Sequence, residues 1–252
     1  MPYISVVAPV YNQPPEVLFE LIRRLSTAIS AITQDFEILL IDDGSKNDAW
    51  AGILEIAAVE PRVKGLKLSR NFGQHAAISA GLDHVRGRWA IIMDADLQDR
   101  PEVIPELYAK AQEGYDVVFV DRAQRPESAV YRFIATCFYV MLNALSGQKY
   151  NHLQGNFSIV SRSVVDALRL MPERTRFYGG MVRWVGFRQT SIAARHAASH
   201  GGDTGYSIRK RIRLAGAILV GFSRRLLYIS IAIGLLMAVV SFTSAGVIVA
   251  EK

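Results

Sequence analysis

The sequence predicts an α/β domain, Rossmann-like, with a mainly parallel central sheet and helices on both faces, followed by a helical membrane-facing tail. Three observations carry this reading. Short apolar runs alternate with stretches of helical spacing through the first 120 residues. Acidic pairs stand where the second and fourth of those runs end. Near the C-terminus, Leu226 to Ala250 forms 25 consecutive residues without a charge.

Strands are expected at Ile4 to Val10, Glu37 to Ile41, Val63 to Leu68, Trp89 to Met93 and Asp116 to Val120. Each run is apolar and too short for a helix. After the first, Pro15 stands at a first helical position, and Leu18, Leu21, Ile22, Leu25 and Ile29 fall on one face. Ala76, Ala80, Leu82 and Val85, then Val103, Leu107 and Ala111, mark two further helices. Such alternation builds parallel sheets, because a parallel neighbour needs a crossover and a helix fills it. After Val120 the alternation stops. An apolar helix is expected over Ala129 to Leu145, a short strand over Phe157 to Val160, and a helix capped by Ser161 that runs to Leu170 and ends at Pro172. Ser207 to Phe222 mixes basic residues with Ile208, Ile212, Leu214, Ile218, Leu219 and Phe222, as an interfacial helix does. The expected organisation is therefore a catalytic domain over 1–205, a basic amphipathic segment over 206–225 and a transmembrane helix over 226–250.

The uncharged stretch is long enough to cross about 30 Å of hydrocarbon with some tilt. Net charge is +6, and the excess gathers just before that stretch, in Arg209, Lys210, Arg211, Arg213, Arg224 and Arg225. Basic flanks favour the cytosolic side and attract anionic headgroups. Charges placed at a membrane edge weigh against nucleic acid as the partner. The N-terminus opens on strand residues, unlike a secretory signal. The single cysteine, Cys137, lies in an apolar stretch and reads as a small core residue, and the chain can form no internal disulfide. That fits a reducing compartment.

The acidic residues carry the chemistry. In an open α/β sheet, ligands bind beyond the carboxyl ends of the strands. The second strand runs into Asp42-Asp43-Gly44-Ser45 and the fourth into Asp94-Ala95-Asp96. Paired carboxylates supply hard oxygen ligands for Mg2+ or Mn2+ rather than zinc, and a metal held there can neutralise a diphosphate leaving group. A lone Asp-x-Asp also serves as a helix cap or turn. Two acidic clusters at the proper strand ends are stronger evidence. Neither Gly-x-Gly-x-x-Gly nor Gly-x-x-x-x-Gly-Lys occurs, so the common phosphate loops are excluded.

Four motifs then stand in series: Val7-Ala8-Pro9-Val10-Tyr11-Asn12, Ile41-Asp42-Asp43-Gly44-Ser45, Asn71-Phe72-Gly73-Gln74-His75, and Met93-Asp94-Ala95-Asp96-Leu97-Gln98-Asp99. With them the chain resembles the family 2 glycosyltransferases of the GT-A fold, in the polyprenyl-phosphate branch that includes dolichyl-phosphate mannose synthases and bactoprenol glucosyltransferases. The resemblance implies a nucleotide pocket lined by Pro9, Tyr11 and Asn12, with Asp42 and Asp43 at base or ribose. It implies Asp94 near ribose or metal, Asp96 as direct metal ligand, and Ala95, Gln98 and Asp99 within the donor site. Arg122 would meet phosphate or sugar, and its fork suits that. His75 reads as a helix-start residue without a catalytic task.

The sequence departs from the branch at three places. Many relatives have Gly-Asp-Phe where Gly155-Asn156-Phe157 stands, and that aspartate is their usual base. Thr204-Gly205-Tyr206-Ser207 lacks the lysine of a Ser-Lys-Tyr-Ser pattern, leaving Arg209, Lys210 or Arg211 for the lipid phosphate. Relatives often have two or more membrane helices, where one apolar segment is seen here. Gly180-Met181-Val182-Arg183-Trp184 is similar to the Gln-x-x-Arg-Trp of processive synthases but lacks the glutamine, so transfer of a single sugar is expected, with Trp184 stacking on sugar or lipid or simply packing in the core.

The resemblance implies inverting transfer from a nucleotide diphosphate sugar, UDP favoured, to a polyprenyl phosphate at the cytosolic face of a bacterial inner membrane. Three alternatives stay open: a transferase using a lipid or glycan hydroxyl acceptor, a sugar nucleotidyltransferase, and a catalytically inactive membrane adaptor that binds the nucleotide sugar. The sugar is not readable, and neither is the oligomeric state.

Overall fold

The computed structural model describes residues 2–122, 143, 154–171, 176–194 and 224–250. Seven strands form one sheet in the order β3-β2-β1-β4-β6-β5-β7. They are β1 (Ile4–Val10), β2 (Phe36–Asp42), β3 (Val63–Lys67), β4 (Trp89–Ile92), β5 (Val117–Arg122), β6 (Gln154–Ser161) and β7 (Gln189–Ala194). Every residue of β1 and β2 is buried, which is why they read as unbroken apolar runs. β1 pairs in parallel with β2 on one side and β4 on the other, and β3 extends the parallel half. β6 runs antiparallel between β4 and β5, and β7 adds a parallel edge to β5.

Helices cover both faces. The apolar stripe of α1 (Pro15–Ser30) joins Ile53 and Ile56 of α2 (Ala49–Val59) and Leu107 of α4 (Ile104–Gln112) over Ile4, Val6, Ala8 and Val10. α3 (Gln74–His84) packs on the opposite face, where Gly81 sits against Val7 and Ile41. A short 3-10 turn, Pro101–Val103, leads into α4. α5 (Arg162–Arg169) and α6 (Tyr178–Trp184) follow β6.

At the amino end of β2, buried Glu37 accepts hydrogen bonds from Ser5 Oγ (2.8 Å), Lys64 Nζ (2.8 Å) and the Arg86 backbone and guanidinium. Burial opposes its ionisation, but these donors hold the carboxyl down at about 2.

The expected strands and the helices on α1, α3, α4 and α5 are present within a few residues of their expected bounds. Three elements are new: α2, α6 and β7. The expected helix over 129–145 and the expected interfacial helix over 207–222 lie outside the described residues, Asn143 excepted, as do Pro172 and Cys137.

By internal contacts the chain divides into two compact units, Met1–Glu127 with Leu153–Thr204, and Ser128–His152 with Gly205–Lys252. The described part of the second unit is chiefly α7 (Arg224–Ala250), about 40 Å long at 1.5 Å per residue. Every side chain from Ile231 to Val247 is exposed, and nearly all are apolar. It is the one helix among the described residues long and apolar enough to cross a membrane.

Candidate active site

The parallel registers bring three chain turns to one edge. Val10 lies opposite Asp42, and Val7 opposite Ile92, so the loops after β1, β2 and β4 leave the sheet side by side. The chain crosses from β3 past β1 to reach β4, so the strand order switches between β1 and β4. Open α/β sheets form their ligand crevice at such a point.

Two of these loops are stitched together. Asn12 adopts φ 54°, a left-handed conformation that asparagine tolerates. Its N–H donates to Ser45 Oγ (2.9 Å), and its Oδ1 accepts from the Lys46 N–H (2.8 Å). The Asp43 N–H donates to the Val10 carbonyl (2.8 Å). Pro9 is buried at the root of this turn, and Tyr11 stands 43% exposed above it.

Asp42 and Asp43 then differ sharply. Asp42 Oδ1 accepts the Ser45 N–H (3.0 Å), while its Oδ2 is buried and has no hydrogen-bond partner among the described residues. Asp43 is gripped by the segment after β3: Oδ1 accepts from Phe72 N (2.8 Å), and Oδ2 from Gly73 N (2.9 Å) and Asn71 Nδ2 (3.0 Å). Burial pushes the Asp43 carboxyl above its ordinary value. The Phe72 and Gly73 N–H groups oppose that, and the Asp42 charge adds to it. Gly44 makes the close approach possible. Its φ is +67°, and a Cβ there would stand 2.5 Å from the Arg70 carbonyl carbon.

The third loop alternates. Ala95 and Leu97 are buried as anchors, while Asp94 and Asp96 stay partly exposed at the mouth. Leu97 takes φ 60°, a strained value for leucine that turns the chain sharply after Asp96. Asp96 Oδ1 accepts the Gln98 N–H (3.0 Å), and Asp94 Oδ1 accepts from Gln74 Nε2. Gln98 and Asp99 continue into the interior and are buried.

β6 brings in the last described group. Ile92, the last residue of β4, lies opposite Ser158, and Asn156 stands two residues before Ser158 in the same strand β6. The Asn156 carbonyl accepts from Ser158 Oγ (2.9 Å), which in turn meets buried Tyr178 Oη (2.7 Å). Since the Ser158 proton is committed to Asn156, Tyr178 is the donor.

Among the described residues no three acidic, histidine or cysteine side chains converge as a metal cage. The carboxylates of Asp96 and Asp94 still fit Mg2+ or Mn2+, which is bound through one or two carboxylates with substrate phosphates and water completing the shell.

Of the other expected site residues, Arg122 ends β5 and its side chain lies outside the described residues. Trp184 closes α6 at 43% exposure. Arg209, Lys210 and Arg211 lie outside the described residues. His75, in the first turn of α3, packs edge-on against Phe177 with centroids 5.0 Å apart, and burial lowers its imidazole to about 4. The sequence reading missed the donors of Asn71, Phe72, Gly73 and Gln74. The signal lies in the third motif, Asn71-Phe72-Gly73-Gln74-His75, whose first four residues are these donors.

The family model described as glycosyl transferase family 2 matches residues 5–169, which spans both acidic loops, the turn after β1 and Asn156. The chain belongs to glycosyl transferase family 2. It is 36% identical over 248 residues to the undecaprenyl-phosphate 4-deoxy-4-formamido-L-arabinose transferase of Yersinia enterocolitica, covering 98% of this chain and 75% of that protein. It is 34% identical over 239 residues to the glycosyltransferase YkcC of Bacillus subtilis, covering 94% and 74%. A solved glucosyl-3-phosphoglycerate synthase from Mycobacterium tuberculosis, in complex with Mn2+, uridine diphosphate and phosphoglyceric acid, superposes with TM-score 0.62. It shares 18% identity and covers 86% of this chain and 76% of that one, a likeness of fold. The family 2 glycosyltransferase is thus built on the GT-A sheet that its motifs imply.

Proposed function

We propose that this glycosyltransferase moves one sugar, with inversion, from a UDP-sugar onto a polyprenyl phosphate at the cytosolic membrane face. The observation that carries the reading is the pair of acidic turns after β2 and β4 at the carboxyl edge of the sheet, where residues 71–74 hold both Asp43 and Asp94. The Yersinia relative, named for transfer to undecaprenyl phosphate, supports the acceptor. α7 supports the location.

Asp96 and Asp94 would hold Mg2+ or Mn2+, which when bound stabilises negative charge on the departing diphosphate. Tyr11 offers an exposed ring for the base, and buried Asp42 Oδ2 offers an acceptor for a donor hydroxyl or N–H. In the step itself, an acceptor phosphate oxygen forms a bond to the anomeric carbon as the bond to the diphosphate oxygen breaks. A phosphate monoester, with a second pKa near 6, is mostly dianionic at neutral pH and needs orientation rather than a base. The Asn156 amide cannot accept a proton at neutral pH, and Asp99 is 2% exposed, so neither favours a hydroxyl acceptor. Arg122, Arg209, Lys210 and Arg211 are the cations assigned to the phosphates, and Trp184 the ring at the acceptor side.

The test is transfer of labelled sugar from UDP-sugars to undecaprenyl phosphate and to undecaprenol, across pH. Transfer to the phosphate alone, slowing below about pH 6, is the expected result. Comparable transfer to the free alcohol would overturn the acceptor assignment.

A further inference from the structure

Gln74 begins α3 at the head of its buried face. Ala77, Ile78, Gly81 and Leu82 continue that face downward as an apolar stripe. Position 74 breaks the pattern with an amide, and its Nε2 donates to Asp94 Oδ1. The three preceding residues deliver the donors that hold Asp43. One four-residue segment therefore grips both acidic loops, with its position fixed at the Asp43 end and its side chain acting at the Asp94 end.

The choice of an amide is chemically specific. A lysine at position 74 would also orient Asp94, but its charge would pair with the carboxylate and repel a metal ion. A glutamate would repel Asp94. A glutamine fixes the rotamer and leaves the negative charge in place for a cation. We infer that Gln74 is a positioning residue, one that orients the Asp94 carboxylate toward metal and donor without neutralising it. The inference rests on the reading of Asp94 as a donor or metal contact.

The full chain in nanodiscs is titrated with UDP and MnCl2 by calorimetry, and its KM values for UDP-sugar and lipid acceptor are measured. Gln74→Met keeps the volume and removes the donor, Gln74→Lys keeps a donor and adds charge, and Asp94→Asn is paired with each. Gln74→Met is expected to raise the Mn2+ concentration needed for half-maximal UDP binding about tenfold, as loss of a group orienting a metal ligand does. Gln74→Lys should do at least as much. Acceptor KM and thermal midpoint should stay near wild type. In the Asp94→Asn background Gln74→Met should add nothing, which a merely structural role would not produce. If Gln74→Met binds Mn2+ and UDP as wild type does, or costs the same in both backgrounds, the positioning role is wrong. If Asp94→Asn itself leaves binding intact, the assignment of Asp94 is refuted instead.

Discussion

Replacing Asp43 with asparagine separates two tasks for this carboxylate. The family resemblance places it at the nucleotide, whereas the geometry has it holding residues 71–73. In Asp43→Asn the amide oxygen keeps the Phe72 N–H, but the new NH2 faces two donors, Gly73 N and Asn71 Nδ2. Two hydrogen bonds to a charged acceptor are lost, each worth about 1.5–3 kcal/mol. Burial already disfavours the ionised carboxylate, so removing the charge returns part of that. The net cost is about 2–3 kcal/mol. At about 2–4 °C per kcal/mol for a domain of this size, the thermal midpoint falls by roughly 5–10 °C. If the loss is local, the amides of Phe72 and Gly73 exchange with solvent about thirty- to a hundredfold faster. Thermal unfolding and hydrogen exchange with mass spectrometry measure both, and UDP titration follows the site. Loss of UDP affinity with midpoint and exchange unchanged would refute the clasp and return Asp43 to the nucleotide.

Asp96→Asn should abolish transfer while leaving the thermal midpoint within a degree or two, because Asp96 stands partly exposed at the mouth; full activity in excess EDTA would contradict a metal there. His75, held near 4 against an ordinary 6.5, stays neutral while the unfolded chain takes up a proton. Stability should therefore drop as pH falls from 6.5 toward 4, by at most about 3 kcal/mol, and His75→Gln should flatten that slope in acid-denaturation curves. Glu37 has the lower window: its contribution is present above 4.5 and lost as pH falls through about 2. With Lys64 and Arg86 partly exposed the loss is about 2 kcal/mol, and Glu37→Gln should remove it. Gly81→Ala places a Cβ 2.4 Å from Val7 Cγ1 and should cost about 1–2 kcal/mol by urea unfolding, overpacking outweighing the gain in helix propensity.

What could be read from the sequence follows from what each element buries. β1 and β2 have no exposed residue, so their apolar runs are unbroken and their ends are sharp. β7 has no buried residue, since it lies at the sheet edge, and Gln189–Ala194 shows no apolar run to notice. α2 fails the opposite way. Ala49–Val59 is apolar nearly throughout, with Leu54 and Val59 exposed, so no period marks its inner face. The direction of β6 leaves no trace in its residues, yet that direction turns the end of β6 that carries Asn156 toward the carboxyl end of β4. The acidic loops were legible because carboxylates at strand ends stand out. Their partners were not, because Asp43 is held mainly by backbone N–H groups, which every residue but proline carries. Asp42 and Asp43 are neighbours of one kind in the sequence. One closes a strand and has a buried oxygen that meets no hydrogen-bond partner among the described residues, and the other leaves the strand and is held three times over. A strand alternates its side chains between faces, so adjacent carboxylates at its end meet different neighbours. The difference in role belongs to the residues that arrive from β3, where no carboxylate marks the place.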